Sequence, residues 1–329
     1  MTEKDKNSCR IISFINMKGG VGKTTLSINT ADYLANQNNK VLILDLDPQF
    51  NATQSLLLRQ KNKYKLDNFK IENDEFEGYM DYVNKIRPDL ENEIINAQAR
   101  SAKYYKDLSE NQKTILQVFI PTNLNKDSKE DLILKFNDNL SFVPGDLELS
   151  RVIAGDTADK VDLIDGYIAD YNLKKKFDYI IIDCPPTWSI LTHSALYASD
   201  YYIIPSRIDF YSSIGINSLQ DKINKYLINN RMYKETSRQL FNLGIVFSMT
   251  TSLKAEKNIK KVVIEDYKSR MPIFDADIPL IRSASSSFIF YSEVSDNEIY
   301  SNLTNGFEKI MEQMLDQMND YEKGDKNGR

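Results

Sequence analysis

Ten residues near the start of the chain, Asn16-Met17-Lys18-Gly19-Gly20-Val21-Gly22-Lys23-Thr24-Thr25, have the types and spacing to hold a polyphosphate. Glycines let consecutive backbone N–H groups turn inward onto phosphate oxygens, and a helix that follows adds the positive end of its dipole. Lys23 would reach the β- and γ-phosphates, and the Thr24 hydroxyl would ligate Mg²⁺. The usual G-x-x-x-x-G-K-[ST] spacing is not met, because Met17 stands where its first glycine should be. Instead a second lysine, Lys18, precedes Gly19, and a lysine there is costly unless it binds phosphate too. The plain alternative is a glycine-rich turn with no ligand.

The elements around this loop are those that such chemistry needs. Residues 11–15 (Ile-Ile-Ser-Phe-Ile) are a short apolar run of the kind that forms a strand buried on both faces, and a helical pattern runs from 24 to about 37. A second buried-strand run at 41–44 ends in Asp45-Leu46-Asp47-Pro48. Strand, helix and strand in so short a span make a βαβ unit with a parallel sheet. Similar runs recur at 179–183, 201–205 and 243–247, with helical patterns near 190–199, 212–229 and 253–270. The expected fold is α/β, a doubly wound, mostly parallel sheet flanked by helices, with 1–329 as one domain. Residues 57–112 break the rhythm: they are rich in Lys, Asn, Glu and Tyr and have no strand-like run. They read as a helical insertion on the rim of the sheet, either a solvated decoration or a partner-binding arm. Near the end, Phe307, Ile310, Met311, Met314, Leu315 and Met318 form an apolar stripe opposite Glu308, Glu312, Asp316 and Asp320. An interfacial membrane helix wants lysine and arginine on that polar face, so docking onto its own domain is the better reading.

Composition removes other classes. The 329 residues carry 42 basic and 47 acidic side chains, so any DNA-binding surface must be a local patch. Two cysteines, Cys9 and Cys184, and one histidine, His193, cannot build a cysteine-rich or multi-histidine metal centre. His193 falls on a helix without an acid or cysteine partner for nucleophilic catalysis, and Cys184 reads as a small packed residue. No apolar run approaches a membrane span and the N-terminus lacks a signal-peptide core, so a soluble intracellular protein is expected. Only ten residues precede the first strand, which leaves no room for an N-terminal DNA-reading domain.

Lys18-Gly-Gly-Val-Gly-Lys-Thr-Thr25 is similar to the deviant Walker A motif of the ParA/MinD ATPases, and the chain resembles their ParA (Soj-like) partition branch. The resemblance runs on through Asp45-Leu-Asp-Pro-Gln-Phe-Asn-Ala-Thr53, Asn139–Pro144, Tyr179-Ile-Ile-Ile-Asp-Cys-Pro-Pro186, Tyr201–Pro205 and Ile278-Pro279. It implies a P-loop NTPase fold and a weak intrinsic ATPase that sandwiches two ATP molecules between two subunits. Phosphate binding would fall to residues 18–25, with Lys18 crossing to the partner's phosphates and acting in catalysis beside Lys23 and Asp47. Asp47 would position the attacking water. Thr24, Asp45 and Asp183 would lie at Mg²⁺, and Met249, Pro279 and Leu280 would close over adenine. A helix-cap or turn role is the alternative for Asp45 and Asp47. One departure is Phe50, which replaces the usual glycine after D-P-Q.

The resemblance also implies non-specific DNA binding by the ATP dimer, stimulation of hydrolysis by a ParB-like centromere-bound adaptor, and a cytoplasmic, nucleoid-associated location. Two basic clusters are candidates for DNA. One is Lys222, Lys225, Arg231, Lys234 and Arg238; the other is Lys254, Lys257 and Lys261 at helical spacing, with Lys260 beside them. Arg282 is a further candidate, and a solvated helix face is the bland reading of each. The competing class is a MinD-like positioning ATPase at a membrane or protein scaffold. An iron–sulfur carrier would need cysteines that the chain lacks.

Overall fold

Strands that are apolar on both faces need cover on both faces, and this chain supplies it by alternating strand with helix. The computed structural model describes residues 9–60, 92–120, 131–154, 160–209, 212–251, 253–280 and 289–327. Its strands are β1 (Arg10–Phe14), β2 (Val41–Asp45), β3 (Leu134–Lys135), β4 (Leu140–Val143), β5 (Tyr179–Asp183), β6 (Tyr201–Ser206), β7 (Phe241–Thr250) and β8 (Ile278–Pro279). Its helices are α1 (Lys23–Asn36), α2 (Asn51–Gln60), α3 (Asn92–Glu110), α4 (Leu116–Phe119), α5 (Leu149–Ala154), α6 (Leu163–Asp170), α7 (Leu173–Lys176), α8 (Ile190–Ala198), α9 (Ser212–Ile223), α10 (Arg231–Glu235), α11 (Lys254–Tyr267), α12 (Tyr291–Val294) and α13 (Ser301–Asn327).

The strands form one sheet in the order β3-β4-β2-β5-β1-β6-β7-β8, and every neighbouring pair is parallel except β3 with β4. This is the doubly wound sheet expected from the sequence. Side chains alternate between its faces. On one face Ile12, Phe14, Ile43 and Ile181 pack with α1 and α13; on the other Ile11, Leu42, Leu44 and Ile182 pack with α8, α9 and α11. The stripe expected on α13 faces the first of these layers: Phe307, Ile310, Met311, Met314 and Met318 are buried and Leu315 packs against them. Arg10 holds the end of that helix, donating from Nε to Glu322 at 2.8 Å and from Nη2 to Asn319 at 2.6 Å. No helix among the described residues is long and apolar enough to cross a membrane.

Of the stretch 57–112, residues 57–60 complete α2 and 92–110 form α3, while 61–91 lie outside the described residues. Leu108 of α3 is buried with Leu56 and Leu57 of α2. For function, the register matters most. It sets Asp45 at the end of β2 beside Asp183 at the end of β5, and Asp183 beside Phe14 at the end of β1. Both carboxylates therefore open onto the loop that leaves β1, the crevice where ligands bind in such sheets.

Candidate active site

The loop between β1 and α1 is shaped by glycine and tied down by side chains. Gly20 (φ 67°) and Gly22 (φ 78°) adopt left-handed conformations that a Cβ would oppose. Asn16 donates from Nδ2 to the Pro205 carbonyl at 2.7 Å and accepts the Lys18 N–H at 2.9 Å. Ser248, in β7, donates from Oγ to the Val21 carbonyl at 2.7 Å. The loop is thus anchored to two strands, and the first turn of α1 carries no acidic residue to repel an anion. Gly19 is exposed and Val21 is buried.

Lys23 is buried, with its ammonium donating to the Lys18 carbonyl at 3.1 Å. Burial pulls its pKa below the ordinary lysine value, against the pull of Asp183 and Asp47. Thr24 donates from Oγ1 to Asp183 Oδ2 at 2.8 Å. The other oxygen, Asp183 Oδ1, is buried without a hydrogen-bond partner among the described residues. An orphaned buried carboxylate oxygen beside a threonine hydroxyl is the donor set that a hard divalent cation completes, with phosphates and water filling the rest of its shell. Among the described residues no group of three acidic, histidine or cysteine side chains could hold a metal ion by itself. The residues therefore fit Mg²⁺ carried in with a nucleotide. Burial pushes the Asp183 carboxyl up to about 7.

Asp45, expected near Mg²⁺, is held by the turn that follows it. Its Oδ2 accepts Thr53 N–H at 2.8 Å and Thr53 Oγ1–H at 2.7 Å, and its Oδ1 accepts the Asp47 N–H at 3.2 Å. Its carboxylate closes the 45–53 turn, and burial with the nearby Asp183 charge raises its pKa to about 8. Thr53 Oγ1 was not singled out by sequence, although its place in the Asp45–Thr53 motif was the available signal. Asp47 is buried beyond Asp45, with Oδ1 accepting the Gln49 N–H at 2.9 Å. Burial raises its pKa, while the Gln49 hydrogen bond and Lys23 pull it down. Lys18 is directed to an ion pair with Asp209, in the loop after β6.

Beside the loop lies a cavity of ≈ 330 Å³, lined mainly by apolar side chains. Its walls bring together Gly22 and Thr25 with Met249, Pro279 and Leu280. The opposite wall, Tyr291, Leu303 and Phe307, comes from nearly 300 residues along the chain and carries no local signal. Met249, near the end of β7, has a φ of 54° and lines the cavity.

The basic clusters resolve unevenly. Lys225, Arg231, Lys254, Lys257 and Lys261 are exposed. Lys222 and Lys225 flank the Tyr226 ring at 6.0 and 5.0 Å from its centroid. Arg231 pairs with Glu235 at 2.9 Å. Two members are spoken for: Arg238 grips both oxygens of Asp165 at 2.7 Å, and Lys260 pairs with Asp277 at 2.6 Å. Arg282 lies outside the described residues. His193 rests against Trp188, ring centroids 5.9 Å apart, with its pKa lowered by burial, and burial pushes the Cys184 thiol up.

A family profile described as an AAA domain matches residues 9–236. The chain is 27% identical to the sporulation initiation inhibitor protein Soj of Bacillus subtilis, over 82% of this chain and 84% of Soj. It is 26% identical to the chromosome partitioning protein ParA of Myxococcus xanthus, over 82% of this chain and 75% of that one. Among solved structures, a McdA variant from Cyanothece in complex with ATP superposes with a TM-score of 0.63 at 18% identity, covering 93% of this chain and 96% of the other. That last likeness shows a shared fold.

Proposed function

This chain is a member of the ParA/MinD family of partition ATPases, and on that premise we propose that it works as an ATP-operated DNA-partition switch. One observation carries the reading of the site: Thr24 donates to Asp183, which also feels the Lys23 charge, and the buried Asp183 Oδ1 has no hydrogen-bond partner among the described residues. ATP is the substrate. Its phosphates lie along residues 18–25 and its base enters the apolar cavity beside Met249, Pro279 and Leu280. Thr24 and Asp183 would hold Mg²⁺, which would neutralise phosphate charge.

The remaining work belongs to the chain's own side chains. Lys23, partly desolvated, places its charge against the phosphates where water does not screen it. Asp47 has one oxygen fixed by Gln49 N–H, which leaves the other to orient a water for in-line attack. Asp45 and Thr53 hold the turn on which Asp47 stands. Lys18 leaves Asp209 and reaches the nucleotide of a second copy, so that ATP drives a homodimer. Dimerisation doubles the exposed Lys225, Lys254, Lys257 and Lys261 and so raises affinity for DNA phosphates regardless of sequence. A ParB-like adaptor then stimulates hydrolysis and releases the DNA. The apolar stripe of α13 is used up in the core, which disfavours the membrane-cycling alternative.

The test is mass by light scattering with ADP and with ATP, for the wild type, Lys18→Ala and Asp47→Ala. The expected result is a dimer with ATP in the wild type and in Asp47→Ala, where it persists longest, and a monomer in Lys18→Ala. A wild type that stays monomeric at saturating ATP contradicts the reading.

A further inference from the structure

Helix α3, in the stretch that interrupts the α/β rhythm, touches the turn that carries Asp47 through one aromatic pair. Phe50 has a φ of 39°, a left-handed conformation that any residue with a Cβ resists. Two contacts keep it there. Its N–H donates to the Asp47 carbonyl at 2.8 Å, and its ring stacks on that of Tyr105 with centroids 4.2 Å apart and planes within 4° of parallel. Tyr105 is fixed in turn, since its hydroxyl oxygen accepts the Leu147 N–H at 3.2 Å. The base of the turn is equally tight. A Cβ on Gly145 would come within 2.9 Å of Asp45 Cγ and 3.0 Å of Phe50 Cβ. The Gly145 N–H donates to Thr53 Oγ1 at 2.7 Å, and that hydroxyl donates to Asp45.

A glycine at position 50 would take this conformation unaided. A phenylalanine takes it only against an outside support, and the support here is a residue of α3. The Asp47 turn is therefore held from below by Asp45 and Thr53 and from outside by Tyr105, and loss of the outside contact lets residue 50 relax toward ordinary φ values. We propose that Phe50 and Tyr105 are positioning residues for ATP hydrolysis, with the stack coupling α3 to the placement of Asp47. The inference rests on the reading of Asp47 as the residue that orients water. It makes α3 a lever on the hydrolytic step and gives it no part in nucleotide affinity, because neither ring lines the cavity.

The test is the kcat and KM for ATP of the full chain with Tyr105→Leu, Tyr105→Phe, Phe50→Gly and Asp47→Ala. Tyr105→Leu keeps bulk and removes the aromatic face, and kcat should fall about three- to tenfold with KM changed by less than about twofold. Tyr105→Phe keeps the ring and loses only the Leu147 hydrogen bond, and its kcat should fall less than that of Tyr105→Leu. Phe50→Gly holds the left-handed conformation without the stack, so its kcat should fall less than that of Tyr105→Leu, and adding Tyr105→Leu to it should lower kcat no further. If Tyr105→Leu fails to fold, Phe50→Ala, which keeps a Cβ at the strained position and removes the stack, should show the same fall. A wild-type kcat in Tyr105→Leu, a Tyr105→Leu effect just as large in the Phe50→Gly background, or a raised KM at unchanged kcat, overturns the proposal. If instead the wild type hydrolyses no ATP, or Asp47→Ala is as fast as the wild type, the reading of the site fails first.

Discussion

Replacing Asp183 with asparagine should stabilise the nucleotide-free protein, and more so at alkaline than at mildly acidic pH. Asp183 is fully buried, and burial lifts its pKa from 3.8 to about 7, with Asp47 adding to the rise and Thr24 and Lys23 opposing it. In that window the folded state keeps a proton that the unfolded chain has released. Stability therefore falls as pH climbs from 3.8 through about 7 and levels off above. Each pH unit inside the window is worth about 1.4 kcal/mol. Between about pH 5.5 and about pH 8 the carboxylate thus removes on the order of 2 kcal/mol from the wild type and nothing from the variant. The buried amide has its own cost, but it does not titrate, so it cancels when the variant is compared with the wild type at both pH values. With about 2.1 cal/mol/K of unfolding entropy per residue, 329 residues convert 2 kcal/mol into a Tm offset about 3 °C larger at the higher pH. Scanning calorimetry at the two pH values reads this directly. Adding Mg²⁺ and ATP at the higher pH should raise the wild-type Tm and leave the variant where it is. The same offset at both pH values would mean that Asp183 is an ordinary carboxylate with no need of a cation.

Two further outcomes follow from the geometry. Gly244 has a φ of 117°, and a Cβ there would lie 2.5 Å from the Pro272 carbonyl oxygen, so Gly244→Ala should cost about 2–4 kcal/mol in urea unfolding. Asp209→Asn removes the partner that holds Lys18 in the single subunit and should tighten the ATP-dependent dimer by up to about fivefold in sedimentation equilibrium, the range open to a partly exposed ion pair. A dimer constant unchanged by Asp209→Asn would mean that Lys18 does not have to leave Asp209 to act.

What could be read without the structure was what is local. β1, α1 and β2 follow from runs of apolar residues and a glycine turn, and the structure places them within a residue or so of expectation. Phosphate-loop residues are contiguous, so their meeting needed no tertiary information. Asp45 shows where local reading stops: the family resemblance puts it near the metal, and only the fold shows Thr53, eight residues on, donating to its Oδ2. The second wall of the cavity was invisible because Phe307 read only as part of a helix stripe until α13 is docked, and Leu303 was not singled out at all. Arg238 and Lys260 looked like members of open basic clusters, and their partners Asp165 and Asp277 are 73 and 17 residues away. Phe50 was legible as a departure, and its consequence was not, since Tyr105 lies in a stretch with no pattern to pair it.

If ATP switches this protein onto DNA, binding to a random-sequence duplex should follow the nucleotide, measured with ADP, with ATP, and with ATP for Asp47→Ala, at two salt concentrations. Binding is expected with ATP and not with ADP, should persist in Asp47→Ala, and should weaken at the higher salt as phosphate contacts are screened. Charge reversal at Lys222 and Lys225 should weaken it further. A dimer that forms with ATP and binds no DNA at either salt concentration would contradict the partition reading while leaving the phosphate loop in place.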